Sequence, residues 1–472
     1  VSGRNSLAFD DLSDLRAALG DEASSLHPIG LREVVHAEGA VHELTHVLQR
    51  GGVVDGTSLV VLSDATPKRY GDRDVLDVVL EELRTRYQVE LVVIEATTHE
   101  AVIADEVTVV AAVDQVRQSS PSALVSVGSG TITDIAKVVA AELAITHVVI
   151  QTAASVNGFS DDQSVLLIEG AKRTTPSRWP DALIIDPVVV SNAPLAMTRS
   201  GLGDQLSMFS AAADWYLSSA VGFDASYSPA VVSMMRQGVD SLLSASAELG
   251  RGETNAVNAL AECLMRGGVA MGVAGRTAPS SGLEHTISHL LEMRADANAE
   301  RSASHGSQVG VASVVAALAW RRVGERLAEG GVTLLAENVA TRERVLVAFA
   351  DLDDSGATAR ECWRLYERKA SWIRAHLRDL QRLVDDWSIH ARVIDELLKP
   401  VVVVVTSLRD AQAPVRFDQL DPPPTDADVV WALSNCHLLR DRFGVVDVAD
   451  LIGSWTLDDV SAVLGELEEL SR

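Results

Sequence analysis

"LVSVGSGTITDIAK" (124–137) decides how the chain is read. It begins as an apolar run, breaks at Gly128-Ser129-Gly130 and resumes as a helix start, so it describes a strand, a tight turn and a helix in succession. Gly128 and Gly130 let backbone amides come close to a ligand. The helix N-terminus behind them offers free N–H groups and a partial positive charge to a pyrophosphate. The spacing departs from G-x-G-x-x-G, because position 133 is Thr. Two readings therefore stay open for this segment: a phosphate site or an unliganded strand–helix turn. Asp134 and Lys137, one helical turn apart, read equally as an ordinary surface pair.

Outward from that segment, "SLVVLSD" (58–64), "VELVVIEA" (89–96), "THVVIQTAAS" (146–155) and "ALIIDP" (182–187) read as further strands. "VLDVVLEELRTRY" (75–87) and "TVVAAVDQVRQ" (108–118) read as helices between them. This alternation predicts a parallel sheet with helices on both faces. The runs are apolar without alternation, as expected of strands covered on both sides. Beyond about residue 192 the chain becomes Ala-rich and helix-periodic. "VVVVVTSL" (401–408) is the ambiguous exception: its β-branched residues favour a strand, but it stands alone among helices. The expected organisation is a poorly patterned leader (1–31), an α/β domain (32–190) and an all-α domain (191–472).

Composition narrows the function. Of 472 residues, 47% are hydrophobic and 22% charged, which suits a folded soluble protein of two domains. The formal charge of −26 repels phosphate backbones and anionic lipid, so nucleic acid and membrane surfaces are not expected partners. Three widely spaced cysteines, Cys263, Cys362 and Cys436, form neither a disulfide framework nor a zinc knuckle. A reducing cytoplasm is the default expectation. The N-terminal residues carry no apolar signal core, and the run at 309–320 is too short to span a bilayer.

Five polar residues have a chemical reading beside a bland one. Asp64 ends a strand, where a carboxylate can accept hydrogen bonds from an adenosine ribose or simply cap a turn. Asp204 in "GLGDQLSMF" reads as an N-cap or a ligand. His285 and His289, at i and i+4, share a helix face with Ser288 and Glu292 near it. His305 follows sixteen residues later. One Asp and two His would leave an open position on a divalent metal, and packed histidines are the alternative.

Together the segments resemble one family. "SVGSGTITDIAK", "QTAASVNGFSDD", "GAKRTTP", "GLGDQLSMFSAAADWYLS", "SGLEHTISHLLEM", "SHGSQVGVA" and "LLRDRFGVVDVADLIG" occur in the order expected of bacterial glycerol-1-phosphate dehydrogenases. Those belong to the superfamily of metal-dependent (iron-containing) alcohol dehydrogenases and dehydroquinate synthases. The resemblance, from about residue 32 onward, implies a Rossmann-like α/β domain followed by a helical one, the dehydroquinate synthase-like fold. It implies Asp204, His285 and His305 as metal ligands and His289 as a residue beside the substrate. It assigns Gly128, Ser129, Gly130, Asp134 and Lys137 to the dinucleotide, with Thr152 and Ser155 near it. Asp64 becomes the ribose carboxylate and favours NAD over NADP.

The implied activity is reduction of dihydroxyacetone phosphate to sn-glycerol 1-phosphate, with NAD(H) and one divalent metal. Zinc is the first expectation, with nickel and iron as alternatives. A homodimer is the base-rate assembly. The chain departs from the family pattern on the substrate side. Asn157 stands where an Asp is usual, Gln151 where Pro is usual, and Ala278 where Arg is usual, with Arg276 two residues earlier as the available substitute. Three other readings compete: the same chemistry on another hydroxyketone or aldehyde, a sugar-phosphate cyclase using NAD transiently, and a non-catalytic nucleotide-binding relative.

Overall fold

A computed structural model describes residues 11–96, 102–168 and 171–472. The first ten leader residues lie outside them. The described residues divide into two compact units, one falling within 1–168, 172–201 and 229–276, the other within 202–228 and 277–472 together with residue 171. The short helices and long helix between Pro229 and Ala274, which the sequence reading placed with the helical half, cluster with the sheet.

The first unit is built on six strands: β1 (Glu33–His36), β2 (Ser58–Asp64), β3 (Gln88–Ile94), β4 (Ala123–Gly128), β5 (Thr146–Gln151) and β6 (Ala182–Ile185). They run in the order β1-β6-β5-β4-β2-β3, every neighbouring pair parallel. Side chains alternate across the sheet. Leu59, Val61, Ala123, Val125 and Val127 enter one core with helices Leu44–Arg50 and Val75–Arg84. Val60, Leu62 and Leu124 enter another with Glu106–Gln118 and Gly130–Leu143. Two buried faces explain why central strands such as β2 and β4 read as unbroken apolar runs. Ser126 is the polar intruder, and its hydroxyl lies 2.9 Å from Nε2 of the buried His147.

Two features of this unit escaped the sequence reading. β1 is only four residues long, and Gln163–Ile168 pairs with Ala171–Pro176 as a separate two-stranded sheet. Within the leader, Asp11–Leu19 is a helix whose buried Leu12, Leu15 and Leu19 form one stripe, and it packs on the helix Pro229–Met235.

The second unit is helical among its described residues. Val401–Asp410 is one of its helices, so the strand favoured by "VVVVVTSL" is not what forms. Pro400 precedes the helix, Val404, Val405 and Leu408 are buried, and the segment packs on the helix His305–Ala328. A 3.6-residue apolar face against a helical neighbour outweighs the few tenths of a kcal/mol that valine costs per helical position. No helix among the described residues is long and apolar enough to cross a membrane.

Candidate metal centre and nucleotide edge

The second unit gathers one carboxylate and two imidazoles that could hold a metal, from three helices. Asp204 lies on α1 (Leu195–Ala220), His285 on α2 (Leu283–Ala297) and His305 starts α3 (His305–Ala328). One ligand atom from each falls within 4.8 Å of the others. Close helix approach makes this reach practicable. A Cβ on Gly203, beside Asp204, would strike the carbonyl of Gly306, beside His305, and stand 3.0 Å from Cα of Gly310.

Each imidazole is oriented from behind. His285 Nδ1 lies 3.1 Å from Glu284 Oε1, while its Nε2 lies 3.4 Å from Asp204 Oδ1. His305 Nδ1 lies 3.2 Å from both Ser288 Oγ and Glu292 Oε1, which leaves Nε2 as the atom that could take a metal. Carboxylates behind the histidines fix their orientation and raise their basicity. Glu284 is itself held by the Ser210 hydroxyl at 2.6 Å and the Gly282 amide at 2.5 Å. Asp214 caps the start of α2, accepting from the amides of Leu283 (3.0 Å) and Val445 (2.8 Å). Burial and then the neighbouring Glu284 charge push the Asp214 carboxyl up to about 8. Burial opposes charging of His285, yet Asp204 and Glu284 raise its proton affinity above the usual range. A cation among these carboxylates and imidazoles would satisfy the same preference, so the donor set fits a divalent metal with three protein ligands.

His289 belongs to the same cluster, its ring centroid 5.4 Å from that of His305 and 6.2 Å from that of His285. Its Nδ1 lies 3.3 Å from Glu292 Oε2. Burial, and after it the positive charge of Arg440, hold this imidazole well below its ordinary proton affinity. Arg440 lines a small hollow with Gly282, Leu283 and Thr286, and among the described residues its guanidinium makes no hydrogen bond or ion pair. Ala278 is buried, and the nearby Thr277 hydroxyl accepts from Arg442 Nη2 at 2.7 Å. The sequence reading noticed Ser288 and Glu292 but missed Glu284, Asp214 and Arg440. An Arg carries no local pattern, and residues i and i+1 on a helix do not ordinarily share a face.

In the first unit the carboxyl ends of β2, β4 and β5 bring together Asp64, Gly128 and Thr152, the edge where open parallel sheets bind ligands. Gly128 is registered against Gln151, and the Thr152 amide donates to the Gly128 carbonyl at 3.2 Å. A Cβ on Gly128 would lie 2.5 Å from Cβ of Ile132, and one on Gly130 2.8 Å from Cγ2 of Val156. Glycine at both places lets the turn close tightly. Ser129 precedes the helix Gly130–Leu143 without a capping bond from its hydroxyl. Ser155 is buried beyond β5. Asn157 is half-buried, and Gly268 on the helix Thr254–Ala274 makes room for its carbonyl.

Lys137 is placed differently from the sequence expectation. Its ammonium is fully buried and contacts Asp161 Oδ1 (2.5 Å), the Gly158 carbonyl (2.9 Å) and the Gln163 carbonyl, with Asp134 Oδ1 at 3.4 Å. Those three bonds use all three of its N–H groups to hold residues 158–163. Burial raises the Asp134 carboxyl to about 7 even though Lys137 opposes it.

Residues 35–194 match the model of the iron-containing alcohol dehydrogenase family. A glycerol-1-phosphate dehydrogenase [NAD(P)+] of Bacillus licheniformis is 27% identical over 71% of this chain and 85% of its own length. That of Thermococcus kodakarensis is 27% identical over 67% of this chain and 86% of its own. Among solved structures, a probable glycerol dehydrogenase from Sinorhizobium meliloti superposes with a TM-score of 0.59 at 16% identity, over 95% of this chain and 99% of that one. An NADH-dependent butanol dehydrogenase from Thermotoga maritima gives 0.57 at 17%, over 93% and 97%. These two likenesses speak for the fold.

Proposed function

We propose that this chain is an iron-containing alcohol dehydrogenase of the glycerol-1-phosphate dehydrogenase branch, and that it reduces dihydroxyacetone phosphate to sn-glycerol 1-phosphate with NAD(H) and a divalent metal. The observation that carries the reading is the convergence of Asp204, His285 and His305, each histidine backed by a carboxylate. When bound, the metal supplies Lewis acidity toward a ketone oxygen and the nicotinamide supplies the hydride. Zinc, nickel and iron all suit an Asp/His₂ donor set.

The chain's own residues do the rest. Glu284, Ser288 and Glu292 hold the two ligand imidazoles in place. His289, neutral in its buried surroundings, relays the proton between water and the substrate oxygen. Asn157 hydrogen-bonds a substrate hydroxyl, as donor or acceptor, where the family usually places a carboxylate. Arg440 offers its uncommitted guanidinium to the phosphate, the role that Ala278 cannot fill. At the sheet edge, Gly128, Ser129, Gly130, Thr152 and Ser155 receive the dinucleotide, and Asp64 its ribose. The homodimer belongs to the same reading and is checked by light scattering.

Asn157 and Ala278 together favour a second substrate reading, another hydroxyketone or aldehyde handled by the same chemistry. One experiment separates them: NADH oxidation by protein reconstituted with zinc or nickel, with dihydroxyacetone phosphate as substrate. Sustained turnover is the expected result. Absence of turnover with metal and NADH both bound would overturn the substrate and leave the oxidoreductase. Conversion of a sugar phosphate without steady-state change in NADH would mark a cyclase.

A further inference from the structure

A strand-end carboxylate selects NAD because its charge repels the 2′-phosphate of NADP. Asp64 does not stand alone in that position. Lys68 Nζ lies 2.5 Å from Asp64 Oδ1, and the Thr66 hydroxyl donates to Oδ2. The same ammonium also donates to the carbonyls of Asp64 (3.1 Å) and Thr66 (2.8 Å), so all three of its N–H groups are engaged around one carboxylate. Both side chains are largely shielded, at 8% exposure for Lys68 and 16% for Asp64, which limits solvent screening of the pair. Arg69 follows in the chain, exposed, and its guanidinium makes no hydrogen bond or ion pair among the described residues.

We propose that Lys68 sets the nucleotide preference of this chain: by cancelling the charge of Asp64 it opens the ribose end of the site to NADP(H) as well as NAD(H). The carboxylate keeps lone pairs for the ribose hydroxyls of NAD, because each oxygen accepts more than one hydrogen bond. For NADP, the local charge that would exclude a 2′-phosphate is neutral, and Arg69 next along adds a positive one. A chain of net charge −26 has particular need of such a local cation if it is to take a more highly charged nucleotide. The inference rests on the oxidoreductase reading above and deepens it at the cofactor.

Binding tests it without turnover. The metal-reconstituted enzyme is titrated with NADH and with NADPH, following enhancement of nicotinamide fluorescence. In the wild type the two dissociation constants should lie within about tenfold of each other, and in Lys68→Gln the NADPH-to-NADH ratio should rise roughly a further tenfold. Asp64→Asn should lower that ratio instead, and because it removes the opposite charge it serves as the second variant. A ratio that Lys68→Gln leaves unchanged overturns the proposal. Failure of both nucleotides to bind the folded, metal-loaded wild type would overturn the nucleotide reading itself, a result distinct from the first.

Discussion

His289 and His305 sit in one cluster, their ring centroids 5.4 Å apart, yet the proposed mechanism gives them different parts. Both imidazoles approach Glu292, one at each oxygen. His305→Ala should lose the metal and turnover together while far-UV circular dichroism stays unchanged. His289→Ala should keep the metal, by elemental analysis, and lose about 10²–10⁴-fold in rate, the usual share of a proton-transfer group. Full metal occupancy in His305→Ala, or metal loss in His289→Ala, would exchange their roles. A histidine of the first unit, His147, contributes to acid stability. Burial, then the charges of Lys137 and Arg178, hold His147 down to about 3. The unfolded chain takes up this proton below about pH 6.5 and the folded chain does not. Stability from His147 is therefore complete above that pH and falls as pH drops toward 3, by at most about 1.4 kcal/mol per pH unit. Denaturant unfolding at pH 7 and pH 5 should show a smaller pH-dependent loss in His147→Gln than in wild type. Equal losses would remove the residue from the account.

At the level of elements, the crossing of α1 and α3 matters more than the helicity of either. Gly203 and Gly306 flank the proposed ligands Asp204 and His305 and allow backbone to meet backbone. Gly203→Ala puts a methyl against a carbonyl that has no rotamer to yield. Such overpacking costs about 1–3 kcal/mol, and here it would also separate two metal ligands. Metal affinity measured by competition with a chromophoric chelator should fall at least as far as stability does; unchanged affinity would show that the helices tolerate the shift. The glycines were visible in "GLGD" and "SHGSQVG", but nothing local says that these two segments meet. The helix Val401–Asp410 gives the same lesson from the other direction. Its valines favour a strand, and the apolar face turned to α3 outvotes them.

For the whole molecule, the proposed metal and nucleotide sites draw on different parts of the chain. All three proposed metal ligands belong to the second compact unit, and the glycine turn with Asp64 belongs to the first. Removing the metal with a chelator should therefore raise amide hydrogen exchange in α2, α3 and the Asp204 turn of α1, leaving β4 and β5 protected as before. At a metal concentration a thousandfold above its dissociation constant, the stabilisation lost is about 4 kcal/mol. Uniform exchange changes across both units, or none, would contradict a local site. The sheet strands β2 to β6 and the helices between them were legible in the sequence. Burial on both faces leaves an unbroken apolar run, and that signature is local. The resemblance of seven ordered segments likewise singled out Asp204, His285 and His305 before any geometry. Three matters were decided only by tertiary structure. Lys137 turned inward to residues 158–163, Glu284 and Glu292 took their places behind the imidazoles, and Lys68 closed on Asp64. Each depends on which polar atoms become neighbours once water is excluded. A buried charge must then find its partner, and sequence spacing does not specify which one it finds.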